Sequence, residues 1–264
     1  METPLQTLTD VMDPARAQAM QAALGRPDAI GDGSPLPPFY HQLYFWDPQP
    51  PDALGRDGHP RVGAVIPDMG LPRRMWAGGR LAFDAPLVAG RVAERRTFLE
   101  SSVRKQGRSG ALGFVTLRHE IRQAGRLCVT DWQDLVYRAE PAPGTAPPAP
   151  PVAPDDEAGA DTLTFDSTLL FRYSALTLNG HRIHYDMDYA TGVEGYRGLV
   201  VHGPLLAQIL MLRARETAGS LRRFRFRATA PLLQGETATF CWRGDRFWVR
   251  GPDGRQCMSA HANS

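Results

Sequence analysis

The sequence predicts an α+β protein that consists of two similar antiparallel units. Short runs of alternating apolar residues, separated by turn residues, predict β-hairpins at residues 112–138 and 237–251. The related hexamers APLVAG, at residues 85–90, and APLLQG, at residues 230–235, precede these hairpins. A shared hexamer followed by matching hairpins indicates that one unit has been duplicated.

Length and composition limit the class of protein. The chain has 264 residues, 42% of them hydrophobic, which is enough for a packed core. Its 30 Lys and Arg residues nearly balance 28 Asp and Glu residues, which argues against a protein that binds nucleic acid. The N-terminal residues 1–14 lack the pattern of a secretory signal, and no stretch approaches the roughly 18 apolar residues of a membrane-spanning helix. We therefore expect a cytoplasmic protein without a membrane partner.

The composition changes abruptly at residues 140–161, where proline, alanine and acidic residues replace the apolar pattern. Such a segment is typical of a semi-rigid linker. It divides the chain into an N-terminal unit, residues 1–139, and a C-terminal unit, residues 162–264.

One helix is predicted with clear ends. It begins at Gly203-Pro204 and ends at Gly219, because proline favours the first helical turn and glycine the position after the last. Apolar residues surround its first turns, which predicts that an antiparallel sheet encloses it. The best N-terminal candidate, residues 15–24, is only weakly amphipathic, so the N-terminal unit is predicted to be a degenerate copy.

The segment at residues 179–190, NGHRIHYDMDYA, contains two of the seven histidines and allows three interpretations. In a metal site, His181 and His184 would need further ligands, and Asp186 and Asp188 complete no known pattern. In a structural role, Asn179 would cap a following helix and the histidines would be buried. In a catalytic loop, the imidazoles would transfer protons near neutral pH.

The helix that follows favours the catalytic interpretation. Its first turn leaves backbone N–H groups without partners at the positive end of the helix dipole. Pro204 has no N–H, so the Gly203 N–H is the nearest donor, and the missing side chain allows a carbonyl oxygen to approach closely. This arrangement suits the stabilisation of an oxyanion or enolate.

Three segments together resemble a known family: residues 173–175 (YSA), residues 179–190, and residues 198–205 (GLVVHGPL). They are similar to the signature of the MaoC-like, R-specific enoyl-thioester hydratases. The resemblance is greatest to the subgroup with two hot-dog units, which includes mesaconyl-C4-CoA hydratase, itaconyl-CoA hydratase and type 2 hydroxyacyl-thioester dehydratases. It covers about residues 165–212 and implies a double hot-dog fold, with the active site between the units.

Carried over by position, the resemblance places the family's catalytic histidine on His184 and its catalytic aspartate on Asn179. An amide cannot take a proton from water, so the usual division of roles does not transfer intact. We predict that His184 transfers the proton, that Asn179 holds the water or the carbonyl, and that His181 acts as a second base or positions His184. Gly203 matches the glycine whose N–H polarises the thioester carbonyl. Asp186 is a candidate to raise the pKa of one imidazole.

The reaction that the resemblance implies is reversible addition of water to an enoyl thioester. It requires no cofactor and no metal, because the thioester itself acidifies the α-position. The predicted partner is an acyl-CoA thioester, and assembly into a homo-oligomer is compatible with the sequence. The candidate substrate contacts, each of which can also be an ordinary solvated side chain, are Arg182, Tyr185, Arg197 and His202.

The resemblance favours a C5 dicarboxylyl-CoA such as mesaconyl-C4-CoA or itaconyl-CoA as the substrate. The alternatives are a 3-hydroxyacyl-thioester dehydratase of fatty-acid synthesis and a non-catalytic acyl-CoA-binding module. A dicarboxylic acyl group needs an arginine for its free carboxylate, whereas a fatty tail needs an apolar tunnel. Candidate aromatic residues for the wall of the acyl pocket, or else for the core, are Tyr40, Tyr44, Trp46 and Trp76.

The basic run at residues 222–227 (RRFRFR) alternates arginine with phenylalanine. It predicts a half-buried strand with a charged outer face, and binding of nucleotide phosphates is the alternative.

Overall fold

The structure, a computed structural model, describes residues 2–63, 65–107, 110–140 and 148–263. The strands of the N-terminal half are β1 (Gln6–Val11), β2 (Arg73–Phe83), β3 (Val92–Gly107), β4 (Gly110–Gln123) and β5 (Arg126–Arg138). Those of the C-terminal half are β6 (Gly159–Thr164), β7 (Arg223–Ala228), β8 (Thr237–Arg243), β9 (Arg246–Arg250) and β10 (Gln256–Asn263).

These strands form one antiparallel sheet in the order β1-β3-β4-β5-β2-β7-β10-β9-β8-β6. The two halves therefore lie side by side, and β2 pairs with β7 where they meet. Both predicted hairpins are confirmed, as β4 with β5 and β8 with β9. This arrangement confirms the predicted α+β fold class.

The helices are α1 (Pro14–Ala23), α2 (Ser167–Thr177) and α3 (Gly203–Ala218). Asp13 and Asp166 precede α1 and α2, and the side chain of each accepts a backbone N–H of the first turn. Gly219 follows α3 with a φ of 73°, in the left-handed region that glycine tolerates. The predicted bounds of α3 are thus confirmed.

Backbone hydrogen bonds establish the duplication. Each hexamer ends in a glycine in the left-handed region, Gly90 with a φ of 79° and Gly235 with a φ of 81°. The Gly90 N–H donates to the carbonyl of Met12 at 2.8 Å, just before α1, and the Gly235 N–H donates to that of Phe165 at 2.8 Å, just before α2. The pair β1 and α1 is therefore the counterpart of β6 and α2.

The counterpart of α3 differs from the prediction. A bridge between Val200 and Leu233 precedes α3, and the equivalent bridge between Pro35 and Val88 precedes only a short 3₁₀ turn at Tyr40–Leu43. That turn, and not the helix near residues 15–24, is the degenerate copy of α3. The chain cannot continue the turn as a long helix because prolines at positions 48, 50 and 51 lack the N–H that a helix needs.

Helix α3 is enclosed, as its apolar circumference predicts. It packs against β2, β7, β9 and β10, so it contacts strands from both halves. Its buried residues include Leu205, Leu206, Leu210 and Met211. They belong to a single apolar cluster that also contains side chains of the N-terminal half, which couples the two halves energetically.

The C-terminal unit begins earlier than the sequence indicates. Residues 141–147 of the expected linker lie outside the described residues, and β6 already starts at Gly159. Before it, the Ala153 N–H donates to the carbonyl of Gly254 at 2.9 Å, and Ala153 is buried with Cys241 and Trp248. The described part of this segment is thus held against the C-terminal half by backbone pairing that composition does not reveal.

The basic run forms β7, with Phe224 and Phe226 buried and Arg223 and Arg225 exposed, which confirms the half-buried strand. Among the described residues, no helix has the length and apolar character needed to cross a membrane.

Candidate active site

A cavity of about 2130 Å³ is lined by residues of both halves. Among the segments that the C-terminal half contributes to its wall are the loop around the Arg182–His184 turn and the start of α3. The structure thereby brings together four of the sequence-predicted site residues, namely Asn179, His181, His184 and Gly203.

His184 presents one defined nitrogen to the cavity. Its Nδ1 lies 2.7 Å from the carbonyl oxygen of Val200, which can only accept, so Nδ1 carries the proton and Nε2 is free. Burial, together with the neighbouring His181, lowers the pKa of His184 to about 3. The ring is therefore neutral at physiological pH, and its Nε2 is a hydrogen-bond acceptor.

His202 lies behind His184 and supports it. The two rings stack with centroids 3.6 Å apart, and the Nε2 of His202 is 2.8 Å from the Oγ of Ser174. His202 is 0% exposed and does not line the cavity. No contact in the structure supports the predicted substrate contact of His202, because another ring separates it from the cavity.

Asn179 does not cap a helix. Its Oδ1 accepts the backbone N–H of His181 at 3.1 Å, which closes the loop on itself and leaves the amide nitrogen as a donor. The His181 ring meets the edge of the His184 ring at 5.4 Å between centroids. Burial, and then the nearby His59, lower the pKa of His181 to about 3.

Gly203 is the first residue of α3, where the backbone N–H groups have no partner within the helix. Among the described residues, no acceptor pairs with its N–H. A Cβ added at Gly203 would approach only the carbonyl oxygen of Trp76, at 3.9 Å. The donor is therefore accessible from the cavity and lies at the positive end of the helix dipole.

The N-terminal half contributes a pair that the sequence interpretation missed. In the loop after Pro51, the Oδ2 of Asp57 lies 3.1 Å from the Nδ1 of His59, and the His59 ring lies 4.6 Å from that of His181. His59 lines the cavity, whereas Asp57 lies behind it. The signal available in the sequence was an aspartate two positions before a histidine in a Gly- and Pro-rich loop.

The ionisation of this pair follows from its surroundings. Burial lowers the pKa of His59, against the opposing effect of its hydrogen bond with Asp57. Burial alone would raise the pKa of Asp57, but the hydrogen bond from His59 and the charge of Arg74 hold it below its ordinary value. The stable state is an ionised carboxylate beside a neutral imidazole.

Asp57, His59 and His181 are also the one group in the described residues whose ligand atoms could share a metal ion, since these atoms all lie within 4.8 Å of one another. From the sequence we found no third ligand, because Asp57 and His59 are distant from His181 along the chain.

Two predicted substrate contacts are directed elsewhere. Arg182 pairs with Asp186 at 2.7 Å and lies over the ring of Tyr189, while the Tyr185 hydroxyl donates to the carbonyl of Gly180. Neither Arg182 nor Tyr185 lines the cavity. Because Asp186 is held by Arg182, its predicted effect on an imidazole is not supported by any contact.

Other predicted residues divide between the cavity and the core. Arg197 is exposed and lines the cavity, as does Trp76. Tyr40 and Tyr44 are 0% and 2% exposed and belong to the apolar core. Trp46 is partly exposed and packs under Arg16. Of the four aromatic candidates, only Trp76 is on the cavity wall.

The N-terminal half contributes both apolar and polar side chains to the cavity wall. This wall is the sheet face left open by the missing counterpart of α3, and its polar side chains include Arg95, Thr97, His119, Asp131 and Gln133. Asp131 accepts a hydrogen bond from Gln42 at 2.7 Å and lies 3.1 Å from His41. Arg95 lines the cavity, and its Nε is buried without a partner among the described residues.

Comparison with known proteins establishes the family. Residues 39–234 match the type 2 hydroxyacyl-thioester dehydratases. The chain belongs to this family. The match includes both the loop with Asp57 and the start of α3. Its named relatives are hydratases and dehydratases, and the chain is an enzyme of that kind, a hydro-lyase.

Two relatives of the dehydratase family illustrate its range. The chain is 44% identical over 251 residues to mesaconyl-C(4)-CoA hydratase of Chloroflexus aurantiacus, which covers 93% of this chain and 89% of that protein. It is 27% identical over 237 residues to the mitochondrial hydroxyacyl-thioester dehydratase type 2 of Schizosaccharomyces pombe, which covers 78% of this chain and 77% of that protein.

Solved structures share the fold at lower sequence identity. A MaoC-like dehydratase from Phytophthora capsici superimposes with a TM-score of 0.72 at 14% identity, over 99% of this chain and 96% of that one. HtdX of Mycobacterium tuberculosis gives a TM-score of 0.67 at 19% identity, over 97% and 99% of the two chains. A second Mycobacterium tuberculosis protein, with a TM-score of 0.60 at 15% identity over 99% and 96%, is described as a double hotdog fold. The predicted double hot-dog fold is confirmed.

Proposed function

We propose that the chain catalyses the reversible hydration of a short enoyl-CoA, in the first instance a C5 dicarboxylyl-CoA such as mesaconyl-C4-CoA or itaconyl-CoA. The observation that carries this proposal is that one cavity presents both a free imidazole nitrogen, on His184, and an unpartnered helix-terminal N–H, on Gly203. These are the two groups that addition of water next to a thioester carbonyl requires.

In this mechanism the thioester carbonyl accepts a hydrogen bond from the Gly203 N–H. Water attacks the β-carbon, and the negative charge that develops on the carbonyl oxygen is stabilised by that N–H and by the dipole of α3. The Nε2 of His184 takes a proton from the water and returns it to the α-carbon. The amide nitrogen of Asn179 is a second donor for the carbonyl or the water.

One cationic side chain of the cavity wall supports a polar acyl group. Arg95 lines the cavity and can pair through its guanidinium with the free carboxylate of a dicarboxylic acyl chain. The exposed Arg61 and Arg197 also line the cavity and are suited to contact coenzyme A phosphates. The 44% identity to a mesaconyl-C(4)-CoA hydratase points to the same substrate class.

Two other functions remain as alternatives. A 3-hydroxyacyl-thioester dehydratase of fatty-acid synthesis is favoured by the family match, but its long acyl chain would share the cavity with the charged side chains of Arg95 and Asp131. A non-catalytic acyl-CoA-binding module is suggested by the amide at position 179.

The test is to incubate the purified protein with mesaconyl-C4-CoA, itaconyl-CoA, crotonyl-CoA and trans-2-decenoyl-CoA, and to follow gain of the mass of one water. We expect the dicarboxylyl substrates to give the highest kcat/KM, and His184→Gln to lower kcat by about 10²-fold or more. Preference for decenoyl-CoA would identify the fatty-acid enzyme instead, and tight binding without turnover would identify the binding module.

Arg95 supplies a separate check of the substrate class. Replacing it with methionine removes one charge-assisted hydrogen bond, so kcat/KM for the dicarboxylyl substrate is expected to fall by roughly 10- to 100-fold, with a smaller change for crotonyl-CoA. Arg96→Met, at the adjacent exposed position of β3, is the matched control. Equal losses on both substrates would remove Arg95 from carboxylate recognition.

A further inference from the structure

Hydration needs an attacking water that is held as well as deprotonated. Water has two O–H groups, and each is directed by an acceptor. In the loop of the C-terminal half, Asn179 uses its Oδ1 to accept the His181 N–H, so its amide nitrogen faces the cavity only as a donor. One acceptor is His184. The remaining imidazoles on this part of the wall, His181 and His59, are the candidates for the second acceptor.

His59 has the properties of that acceptor. Its Nδ1 donates to the ionised carboxylate of Asp57, so its Nε2 is free of a proton. This is the tautomer that the Val200 carbonyl imposes on His184. The rings of His59 and His184 approach His181 at 4.6 and 5.4 Å between centroids, so the three imidazoles line one stretch of the wall.

The backbone fixes His59 in this place. The Arg182 N–H donates to the carbonyl of Asp57 at 2.9 Å, and the Arg182 guanidinium reaches the carbonyl of Arg56 at 3.3 Å. Gly58 and Gly180 meet backbone to backbone, because a Cβ on Gly58 would lie 2.1 Å from the Gly180 oxygen. The turn with Asp57 and His59 is therefore docked directly on the catalytic loop.

We propose that His59 is a second catalytic residue, which together with His184 holds the attacking water, and that Asp57 is a positioning residue that fixes the His59 tautomer. This inference rests on the proposed hydration and adds a residue from the N-terminal half to it.

In the proposed step, the two O–H groups of the attacking water have different fates. The water donates one O–H to the Nε2 of His59 and the other to the Nε2 of His184. As its oxygen bonds to the β-carbon, the π electrons move to the thioester carbonyl, and His184 takes one proton. When the enolate collapses, His184 returns that proton to the α-carbon. His59 keeps its hydrogen bond throughout and ends unprotonated, so both rings are ready for the next cycle.

Asp57, His59 and His181 could instead bind a divalent metal ion, but their surroundings favour the hydrogen bond between His59 and Asp57. Arg74 lies 3.6 Å from the Oδ2 of Asp57, and its positive charge opposes a cation there. The Nδ1 of His59 and the Asp57 carboxylate already satisfy one another.

The test uses the full chain with His59→Gln and Asp57→Asn. Asn at position 57 donates to the Nδ1 of His59 and so moves its proton to Nε2, which then cannot accept from water. We expect each variant to lower kcat for the best substrate found with the wild type by roughly 10²- to 10³-fold. The Kd for unreactive butyryl-CoA should change less than about twofold, because binding contacts remain. Asp52→Asn in the same loop and His261→Gln on β10, both outside the site, should retain wild-type kcat.

Three results would overturn the inference: a kcat within about threefold of wild type in His59→Gln, a parallel loss of kcat and butyryl-CoA affinity in both variants, or one bound metal ion per chain whose removal by a chelator abolishes activity. Circular dichroism checks folding, and Asp57→Asn carries the test if His59→Gln does not fold. Failure of the wild type to hydrate any thioester would contradict the proposed function itself, which separates the two ideas.

Discussion

At the scale of single residues, the chemistry of the site depends on which groups are already engaged. The Val200 carbonyl occupies one nitrogen of His184 and thereby determines which nitrogen is left as an acceptor. Ser174 holds His202, which stacks behind the reactive ring. The Gly203 N–H, by contrast, is left without an acceptor in the described part of the chain. The site thus combines one orientated base with one open donor.

The role of the Gly203 N–H can be tested with two substitutions. Gly203→Pro removes the donor, and Gly203→Ala keeps it. Both substitutions add a Cβ at position 203, and in both the backbone of that residue is restricted by the following Pro204. The added Cβ meets only the Trp76 oxygen, at 3.9 Å. We expect Gly203→Pro to lower kcat by about 10²- to 10³-fold, as loss of one oxyanion donor does, and Gly203→Ala to retain most activity. Steady-state kinetics on the preferred enoyl-CoA decides this, and equal losses in the two variants would mean that the N–H is not used.

At the scale of elements, the active site is an interlock of two loops from different halves. The turn containing Gly58 has a φ of 85° at that glycine and meets Gly180 of the catalytic loop. The backbone bond from Arg182 to Asp57 holds the two loops together. Close approach of two backbones is possible only without side chains at both glycines. The loop geometry therefore controls the placement of His59 and His181 together.

Gly58→Ala tests this interlock. The added Cβ would lie 2.1 Å from the Gly180 oxygen and would also strain a left-handed residue, so the loops must separate. We expect a loss of about 1–3 kcal/mol in the free energy of unfolding and at least a roughly tenfold lower kcat. Urea denaturation and kinetics measure the two effects. Gly192→Ala, whose Cβ would meet nothing within 4 Å, is the control, and similar behaviour of both variants would contradict the interlock.

At the scale of the whole molecule, the two halves share a sheet and a core but differ in one element. Helix α3 fills the C-terminal unit, and the short turn at Tyr40–Leu43 leaves the equivalent face of the N-terminal unit open. The cavity occupies that face, where its walls carry titratable side chains. The duplication has thus produced one unit that supplies the N-terminus of α3 and one that supplies much of the pocket.

The buried histidines make folding stability depend on pH. Burial lowers the pKa of His184 and His181 to about 3 and that of His119 to about 4, and it also lowers those of His59 and His202. Below the unfolded value of 6.5, the unfolded chain binds protons that the folded chain does not. Stability is therefore expected to fall from pH 7.5 to pH 5.5, where carboxylates remain ionised in both states.

The free energy of unfolding changes with pH by at most about 1.4 kcal/mol per pH unit for each such histidine. Urea denaturation at several pH values between 7.5 and 5.5 measures this pH dependence. His119→Gln should reduce it by up to the contribution of one histidine. A free energy of unfolding that stays constant between pH 7.5 and 5.5 would show that the folded protein can protonate these rings.

The sequence predicted correctly several features that are encoded locally. Proline at position 204 and Gly219 mark the ends of α3, alternating residues mark the hairpins, and the repeated hexamer marks the duplication. The motif around His184 lies in a segment that lines the cavity. Each of these signals lies within a few residues of the structure it specifies, which is why pattern and propensity suffice to read it.

Only the tertiary structure decided which side chains meet. It joined Asp57 and His59 to the catalytic loop across the chain, placed His202 behind His184, and directed Arg182 and Tyr185 away from the cavity. It also showed that the degenerate copy of α3 is the turn at Tyr40–Leu43. Such outcomes depend on packing between residues that are distant in sequence, where hydrogen bonds and burial are shared between segments, and no local pattern contains that information.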